Sequence, residues 1–234
     1  MDLQIQQHML MNRALERRVN YKHWDTENIP TRDQIQQIID EAIKIAPIKN
    51  EYFPFNIDVY GPEHAEQKKW VNLATTTKRQ YKLENYDGEE EDWWDEMESL
   101  YEKKPDFFNT QVLAPWVLNI TKIPYKDAWN PKSEQRGDDQ DPMMAGIFMY
   151  ALSLTANNHE IDAAFCLCFD KDTTTKDLFI NDYGKTGFGL VCLGIYKFPG
   201  ETYENNGQRY DTLRRKKIRF KRDKPTVDRI TNWK

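Results

Sequence analysis

The sequence predicts an α+β fold in which helices flank a mixed central sheet. Three apolar runs have the length of strands that are buried on both faces, and helical patterns lie before and between them. A sheet that is buried on both faces needs a layer of helices on each side. No repeat and no low-complexity linker divides the sequence, so we expect a single domain over residues 1–234.

The helix signals differ in strength along the chain. Thr31 precedes Gln34 by three residues, which is the spacing of a capping box, and apolar residues continue at helical spacing to Ile43 before Pro47. Residues 143–156 form the most apolar helical pattern, which is too apolar for a helix with one buried face. Further helices are predicted up to about Asn20 and over residues 63–83 and 89–101.

Four strands are predicted, and turn-forming residues or polar loops bound them. They cover Phe55–Tyr60 and residues 112–121, 163–169 and 188–196. The first alternates between apolar and polar residues, whereas the other three are apolar throughout most of their length. The last three are therefore predicted to be buried strands of the sheet.

The composition excludes several classes of protein. Only 39% of the residues are apolar, and no uncharged run approaches the roughly 18 residues of a membrane-spanning helix, so we expect no membrane association. The first ten residues lack the basic and apolar regions of a secretory signal. Aromatic residues make up 13% of the chain, which argues against disorder. Three cysteines are too few for a disulfide framework, so we expect a cytoplasmic protein.

Charge is strongly segregated along the chain. Residues 84–106 include eleven acidic residues and two lysines, and residues 209–224 include nine basic residues and two aspartates. We interpret residues 84–107 as an acidic insert and residues 209–234 as a basic C-terminal tail. A tail this basic indicates an anionic ligand.

Several candidate motifs do not support a catalytic or metal site. The four histidines are isolated, so no metal site is expected, and the GKT at residues 184–186 lacks the preceding glycine of a phosphate loop. Cys166 and Cys168 share one face of a predicted strand. We interpret them as small buried side chains, with a redox or metal role as the alternative. Trp93 and Trp94 are interpreted as core or interface anchors, with a substrate cage as the alternative.

A series of weak motifs, taken in order, resembles the nitroreductase family of flavin enzymes. The segment RVNYKHWD at residues 18–25 is followed by a helix and by the loop APIKNEYFPF at residues 46–55. The apolar helix, a strand over residues 162–170, a glycine-bearing strand over residues 187–196 and a basic tail before Pro225 follow in the family's order. The resemblance implies a nitroreductase-like α+β fold, a homodimer with the site between its subunits, and FMN as the cofactor.

The resemblance assigns roles to charged residues near both ends of the chain. It implies that Arg18 and Lys22 serve the phosphate side and the pyrimidine edge of FMN, and that Asn20 replaces a family serine as a phosphate donor. Lys22 is the candidate for electrostatic stabilisation, because reduced flavin carries negative charge at N1 and O2. In the tail, Lys221 and Arg222 best match the phosphate-binding cations. The alternatives there are Arg215, Lys217 and Arg219.

Two further segments match positions beside the flavin ring. Leu167 and Cys168 occupy the place of the backbone amides that face flavin N5 and O4 in the family, and an amide can serve there whatever its side chain. In the loop over residues 46–55, Lys49 is the candidate for a cofactor contact. The loop departs from the family pattern, because Ile48 and Glu51 replace small polar residues and Phe53 replaces a glutamine.

The activity implied by the resemblance is that of an FMN-dependent oxidoreductase. It would pass hydride or electrons from NADH or NADPH through flavin N5 to a small aromatic or conjugated acceptor, with Trp93, Trp94 or Phe107 as a roof over the ring. The divergent loop motivates an alternative, a flavin-binding or regulatory protein with weakened catalysis. Nucleic-acid binding through residues 209–224 is a third interpretation, which the lack of interleaved aromatic residues does not favour.

Overall fold

The computed structural model describes residues 23–75, 85–105, 109–130, 140–167 and 187–196. Along the chain these form α1 (Arg32–Ile45), β1 (Phe55–Tyr60), α2 (Ala65–Ala74), α3 (Glu90–Lys103), β2 (Trp116–Lys122), α4 (Gln140–Asn158), β3 (Asp162–Cys166) and β4 (Gly187–Gly194). Short 3-10 helices lie at Lys49–Glu51 and Tyr125–Asp127. The predicted N-terminal helix, the ends of the acidic insert and the basic tail lie outside the described residues.

The described strands form one sheet in the order β1-β2-β4-β3. The pairs β1 with β2, β2 with β4 and β3 with β4 are all antiparallel. Six of the seven residues of β2 are buried, so β2 is a central strand, as its apolar sequence predicts. The α+β class is confirmed, whereas the parallel pairing that a mixed sheet requires is not found among the described strands.

One face of the sheet packs against α4, and α1 packs in turn against α4. Alternate residues of β2 and β4 lie on this face, as strand geometry requires, around the fully buried Phe148 of α4. The predicted capping box of α1 is confirmed, because the Gln34 backbone N–H donates to Thr31 Oγ1 and the Thr31 N–H donates to Gln34 Oε1. Ile43 lies at the edge of the buried face of α1 and is 43% exposed.

The opposite face of the sheet carries a second apolar cluster. It joins Val117 of β2 and Cys192 of β4 to Val71 of α2 and to Trp24, which precedes α1. α3 packs against α2 through a third, aromatic cluster around Trp93. Both faces of the sheet are therefore covered, which confirms the predicted layers of helices.

Several predicted boundaries differ from the structure, among them the starts of β2 and α4. β2 begins at Trp116 rather than at residue 112, because residues 110–113 form turns. α4 begins at Gln140, three residues earlier than predicted. Asp141 lies in its first turn, where a carboxylate stabilises a helix N-terminus, and it accepts a hydrogen bond from the Tyr52 hydroxyl at 3.0 Å.

None of the described helices combines the length and the apolar character that are needed to cross a membrane. The single domain over residues 1–234, with its acidic insert and basic tail, stays a prediction.

Candidate functional site

Two of the sequence-predicted site residues lie in the described part of the chain. Lys49 begins the 3-10 helix that follows α1 and is exposed, and Leu167 directly follows β3. The other candidates lie outside the described residues: Arg18, Asn20, Lys22, Cys168, Lys221 and Arg222. The described part of the candidate site therefore consists of the end of β3 and the loop between α1 and β1.

Leu167 is an exposed residue at the end of β3. The β3–β4 ladder ends at the pair Cys166 and Leu190, so Leu167 lies one residue beyond it and is 69% exposed. Within the described part of the chain, no hydrogen bond is made by the Leu167 N–H. Its side chain lies over Gly189 beside Met149, because a Cβ on that glycine would come within 2.7 Å of both side chains. The end of β3 therefore offers a backbone donor to a ligand.

Two buried amide side chains hold this end of β3. Gln111 Nε2 donates to the Phe165 carbonyl oxygen at 3.1 Å, and Asn109 Nδ2 donates to the Cys166 thiol sulfur at 3.0 Å. Both amide residues are buried, as is Cys166. Buried polar side chains of this kind are costly unless they are hydrogen-bonded, so their bonds restrict the position of the strand.

The same segment is tied to the C-terminal end of α2. Asn72 Nδ2 donates to the Asn109 carbonyl oxygen at 2.9 Å, and the Asn109 N–H donates to Asn72 Oδ1 at 3.3 Å. Asn109 Nδ2 also donates to the Thr75 carbonyl oxygen at 3.3 Å, at the end of the helix where carbonyls lack intrahelical partners. Asn109 therefore connects α2 to β3.

Trp24 connects this segment to the chain just after Lys22. Its indole Nε1 donates to the carbonyl oxygens of Thr110 and Gln111, at 3.2 and 3.1 Å. Trp24 also forms an isolated bridge with Tyr196, beyond the end of β4. Trp24 and the end of β3 are thus both bonded to residues 109–111.

The loop over residues 48–54 directs most of its large side chains inward. Ile48 and Tyr52 are buried, and Phe53 packs against Phe148 with their ring centroids 6.4 Å apart. The backbone of Phe53 pairs with that of Trp129 through two hydrogen bonds, at 3.2 and 3.3 Å. The exposed residues of the loop are Lys49, Asn50 and Glu51. The phenylalanine that replaces the family's glutamine is thus partly buried and packs against the core.

Asn50 and Glu51 form the tip of this loop with a left-handed backbone. Their φ angles are 57° and 54°, and the Tyr52 N–H donates to the Lys49 carbonyl oxygen at 3.3 Å. This arrangement resembles a type I′ turn, in which glycine is common at the second central position. Asparagine tolerates the left-handed region, but glutamate is strained there.

We expect Glu51→Gly to raise the free energy of unfolding by about 0.5–1 kcal/mol. Relief of the left-handed backbone strain should outweigh the entropy that glycine adds to the unfolded chain. Urea denaturation followed by circular dichroism measures the change. Lys49→Gly is the matched control, because Lys49 has no positive φ and the same substitution should destabilise there. A loss of stability in Glu51→Gly would contradict the strain.

The described cysteines, Cys166 and Cys192, are both buried. Burial raises the pKa of Cys192 to about 12, against the opposing charge of nearby Lys68. Cys166 is buried in β3, and both thiols are free. The interpretation of Cys166 as a small buried side chain is confirmed, and Cys168 lies outside the described residues.

Trp93 and Trp94 belong to the protein core. Both are buried, and their ring centroids lie 4.7 Å apart in an edge-to-face contact. Trp70 of α2 packs on Trp94 in the same manner, and Lys69 of α2 bridges to Glu98 of α3. The interpretation as core anchors is confirmed and the proposed roof over a ligand is wrong for these two residues. Phe107 lies outside the described residues.

Comparison with known proteins gives matches to solved structures, whereas no protein-family profile and no curated protein matches this sequence. A nitroreductase family protein from Clostridium difficile 630 has 10% sequence identity and a TM-score of 0.56, over 94% of this chain and 96% of that chain. A nitroreductase with bound FMN from Desulfitobacterium hafniense DCB-2 has 14% identity and a TM-score of 0.52, over 82% and 92%. This chain has the nitroreductase fold.

A third match is an FMN-dependent nitroreductase from Mycobacterium smegmatis in complex with NADPH. It has 16% identity and a TM-score of 0.52, over 82% of this chain and 89% of that chain. The nitroreductase fold predicted from the ordered motifs is thus confirmed, although few residues are identical.

Within this fold, sequence reasoning missed Trp24, Asn109 and Gln111 as residues that organise the site. The available signal was the polar triplet Asn109-Thr110-Gln111, which lies directly before the apolar run predicted as a strand from residue 112. Polar residues in that position are typical of buried turns that satisfy backbone groups of other elements.

Proposed function

We propose that this chain is an FMN-dependent oxidoreductase that uses NADH or NADPH and reduces a small aromatic or conjugated acceptor. The nitroreductase fold supports this proposal, as do the matches to an FMN-bound nitroreductase and to an FMN-dependent one in complex with NADPH. The observation that carries it is the N–H of Leu167, an exposed residue at the end of β3, which has no hydrogen-bond partner among the described residues. This is where the resemblance requires a backbone donor toward the flavin ring.

The described residues fit FMN in the chemistry of their donors. Leu167 offers an N–H to a ring acceptor, and Lys49 offers an exposed ammonium group. Arg18, Asn20, Lys22, Lys221 and Arg222 are proposed as the groups that bind the phosphate and the pyrimidine edge. When bound, FMN would supply the redox chemistry, which belongs to the cofactor rather than to a side chain.

The protein's own contribution would be orientation and charge. The Leu167 N–H would orient the ring, since a fixed backbone donor costs no reorganisation during the reaction. Lys22 would favour the reduced, negatively charged ring through its positive charge. The cations of the tail would hold the phosphate through charge-assisted hydrogen bonds.

An absorbance titration tests the cofactor assignment. We expect the full-length protein to acquire a perturbed flavin spectrum when FMN is added, and the bound flavin to bleach when NADH or NADPH is added without oxygen. Lys22→Ala removes the proposed cation, and Lys44→Ala removes an exposed lysine of α1 as the matched control. Only Lys22→Ala should weaken FMN binding. Absence of any flavin binding by the unaltered protein would overturn the proposal.

A flavin-binding protein with weakened catalysis is the second candidate. It is favoured by the loop over residues 48–54, in which Tyr52 is buried and Phe53 packs against the core. Bound FMN that neither NADH nor NADPH bleaches would support this candidate over the enzyme. The cytoplasmic location and the acceptor both stay predictions.

We also propose a homodimer in which the outer face of α4 meets its partner. Met143 is 60% exposed, and apolar residues follow it at helical spacing in Ile147, Tyr150 and Leu154. No heavy atom of the described residues lies within 4 Å of a Cβ placed on Gly146. Such an apolar stripe on a helix is typical of a protein interface.

Met143→Lys is expected to convert the dimer to a monomer at micromolar concentration. Two copies of a lysine would be buried at an interface without partners, which is strongly unfavourable. Sedimentation equilibrium measures the change. Ile45→Lys on α1, which is also exposed but off the stripe, should leave the dimer intact. A protein that is already monomeric without substitution would contradict the dimer.

A further inference from the structure

Residues 109–111 contact three separate elements of the fold. They bond to the end of α2, to the end of β3 and to Trp24, which lies two residues beyond Lys22. The hydrogen bonds from these residues to β3 span 54 and 57 residues of sequence. Local propensity therefore does not explain them, and they constrain the tertiary arrangement.

Gln111 fixes the orientation of the last peptide groups of β3. Its Nε2 donates to the Phe165 carbonyl oxygen. That carbonyl belongs to the peptide group directly before the one that carries the Leu167 N–H. A peptide group is planar, so fixing its carbonyl restricts the direction of the backbone that follows. Because the pairing with β4 ends at Cys166, this side-chain bond supplies a constraint near the point where the ladder stops.

The side chain of Asn109 is held in one position by its hydrogen bonds. Both hydrogens of its Nδ2 are used, one toward Thr75 and one toward Cys166, and its Oδ1 accepts the Gln111 N–H at 3.2 Å. A buried amide whose donors and acceptor are all satisfied is held rigidly, since any other position leaves polar groups unpaired.

From these contacts we infer that Gln111 and Asn109 are positioning residues of the cofactor site. They hold the Leu167 N–H in a fixed relation to Trp24, because they bond β3 on one side and the Gln111 carbonyl oxygen accepts the Trp24 indole N–H on the other. This inference rests on the proposed function, since it concerns how the predicted Leu167 contact to FMN is held in place. Neither residue touches the cofactor in this account.

Gln111→Leu tests the inference, because it keeps the size of the side chain and removes the donor to Phe165. We expect the variant to remain folded by circular dichroism, to bind FMN about tenfold more weakly and to shift the reduction potential of the bound flavin. Gln37→Leu on α1 is the matched control, since it removes a side-chain hydrogen bond to Glu41 far from β3 in sequence and should leave both measurements unchanged.

Gln111→Glu provides a second measurement if the leucine variant does not fold. A glutamic acid can donate to the Phe165 carbonyl when protonated but repels it when ionised, so FMN affinity should rise as the pH falls. Wild-type affinity and potential in Gln111→Leu, or a pH profile of Gln111→Glu that follows the wild type, would overturn the positioning role while the flavin assignment stands. Failure of the unaltered protein to bind FMN would overturn both.

Discussion

Phe148→Ala is expected to lower the free energy of unfolding by about 3–5 kcal/mol, because it leaves a large cavity in the main core. Phe148 is fully buried in α4 and packs on Phe55 with ring centroids 5.0 Å apart. Phe53 packs on its edge as well, so the same substitution removes a partner from the loop that precedes β1. Urea denaturation of the purified variant measures the loss.

Ile45→Ala is the matched control for this core deletion. Ile45 lies on α1, which packs against α4, but it is 58% exposed. Removal of an exposed apolar side chain should change the stability by no more than about 0.5 kcal/mol. Similar losses for the two variants would show that Phe148 is not at the centre of the core.

Trp24→Ala is also expected to lower the free energy of unfolding by about 3–5 kcal/mol. The indole lies against Gly194, as Pro115 also does, and a Cβ on the glycine would lie 2.8 Å from the Trp24 ring. Its loss also leaves the carbonyls of Thr110 and Gln111 without the Nε1 donor. We further expect weaker FMN binding, since Trp24 fixes the chain that follows Lys22.

Trp129→Ala serves as the control of the same residue type. The Trp129 side chain is 70% exposed, so its removal should change the stability by no more than about 0.5 kcal/mol. Thermal or urea unfolding of both variants gives the comparison. A Trp24→Ala variant as stable as Trp129→Ala would contradict the role of Trp24 in joining the segments.

Local signals predicted the elements whose structure depends on near neighbours. The capping box at Thr31 and the strand at Phe55–Tyr60 were both found where the sequence indicates them. Both depend on residues within one turn or on alternation along one strand. The fold was also predicted correctly, because the weak motifs occur along the chain in the family's order.

The site was less predictable because its contacts are long-range. The bond from Gln111 to Phe165 joins residues 54 apart, and its geometry depends on turns at residues 110–113 that no periodicity predicts. By contrast, Trp93 and Trp94 of α3 were predicted to be core or interface anchors, and both rings do face α2. The acidic residues occupy the outer side of the helix.

The contrast in exposure among the tryptophans gives the protein an internal optical reporter. Trp24, Trp93, Trp94 and Trp116 are buried, so a water-soluble quencher such as iodide reaches them poorly, whereas Trp129 is open to it. The Trp129 backbone is paired with that of Phe53, so its emission is sensitive to any rearrangement of the loop over residues 48–54. Iodide quenching before and after FMN addition would therefore follow the loop without any label.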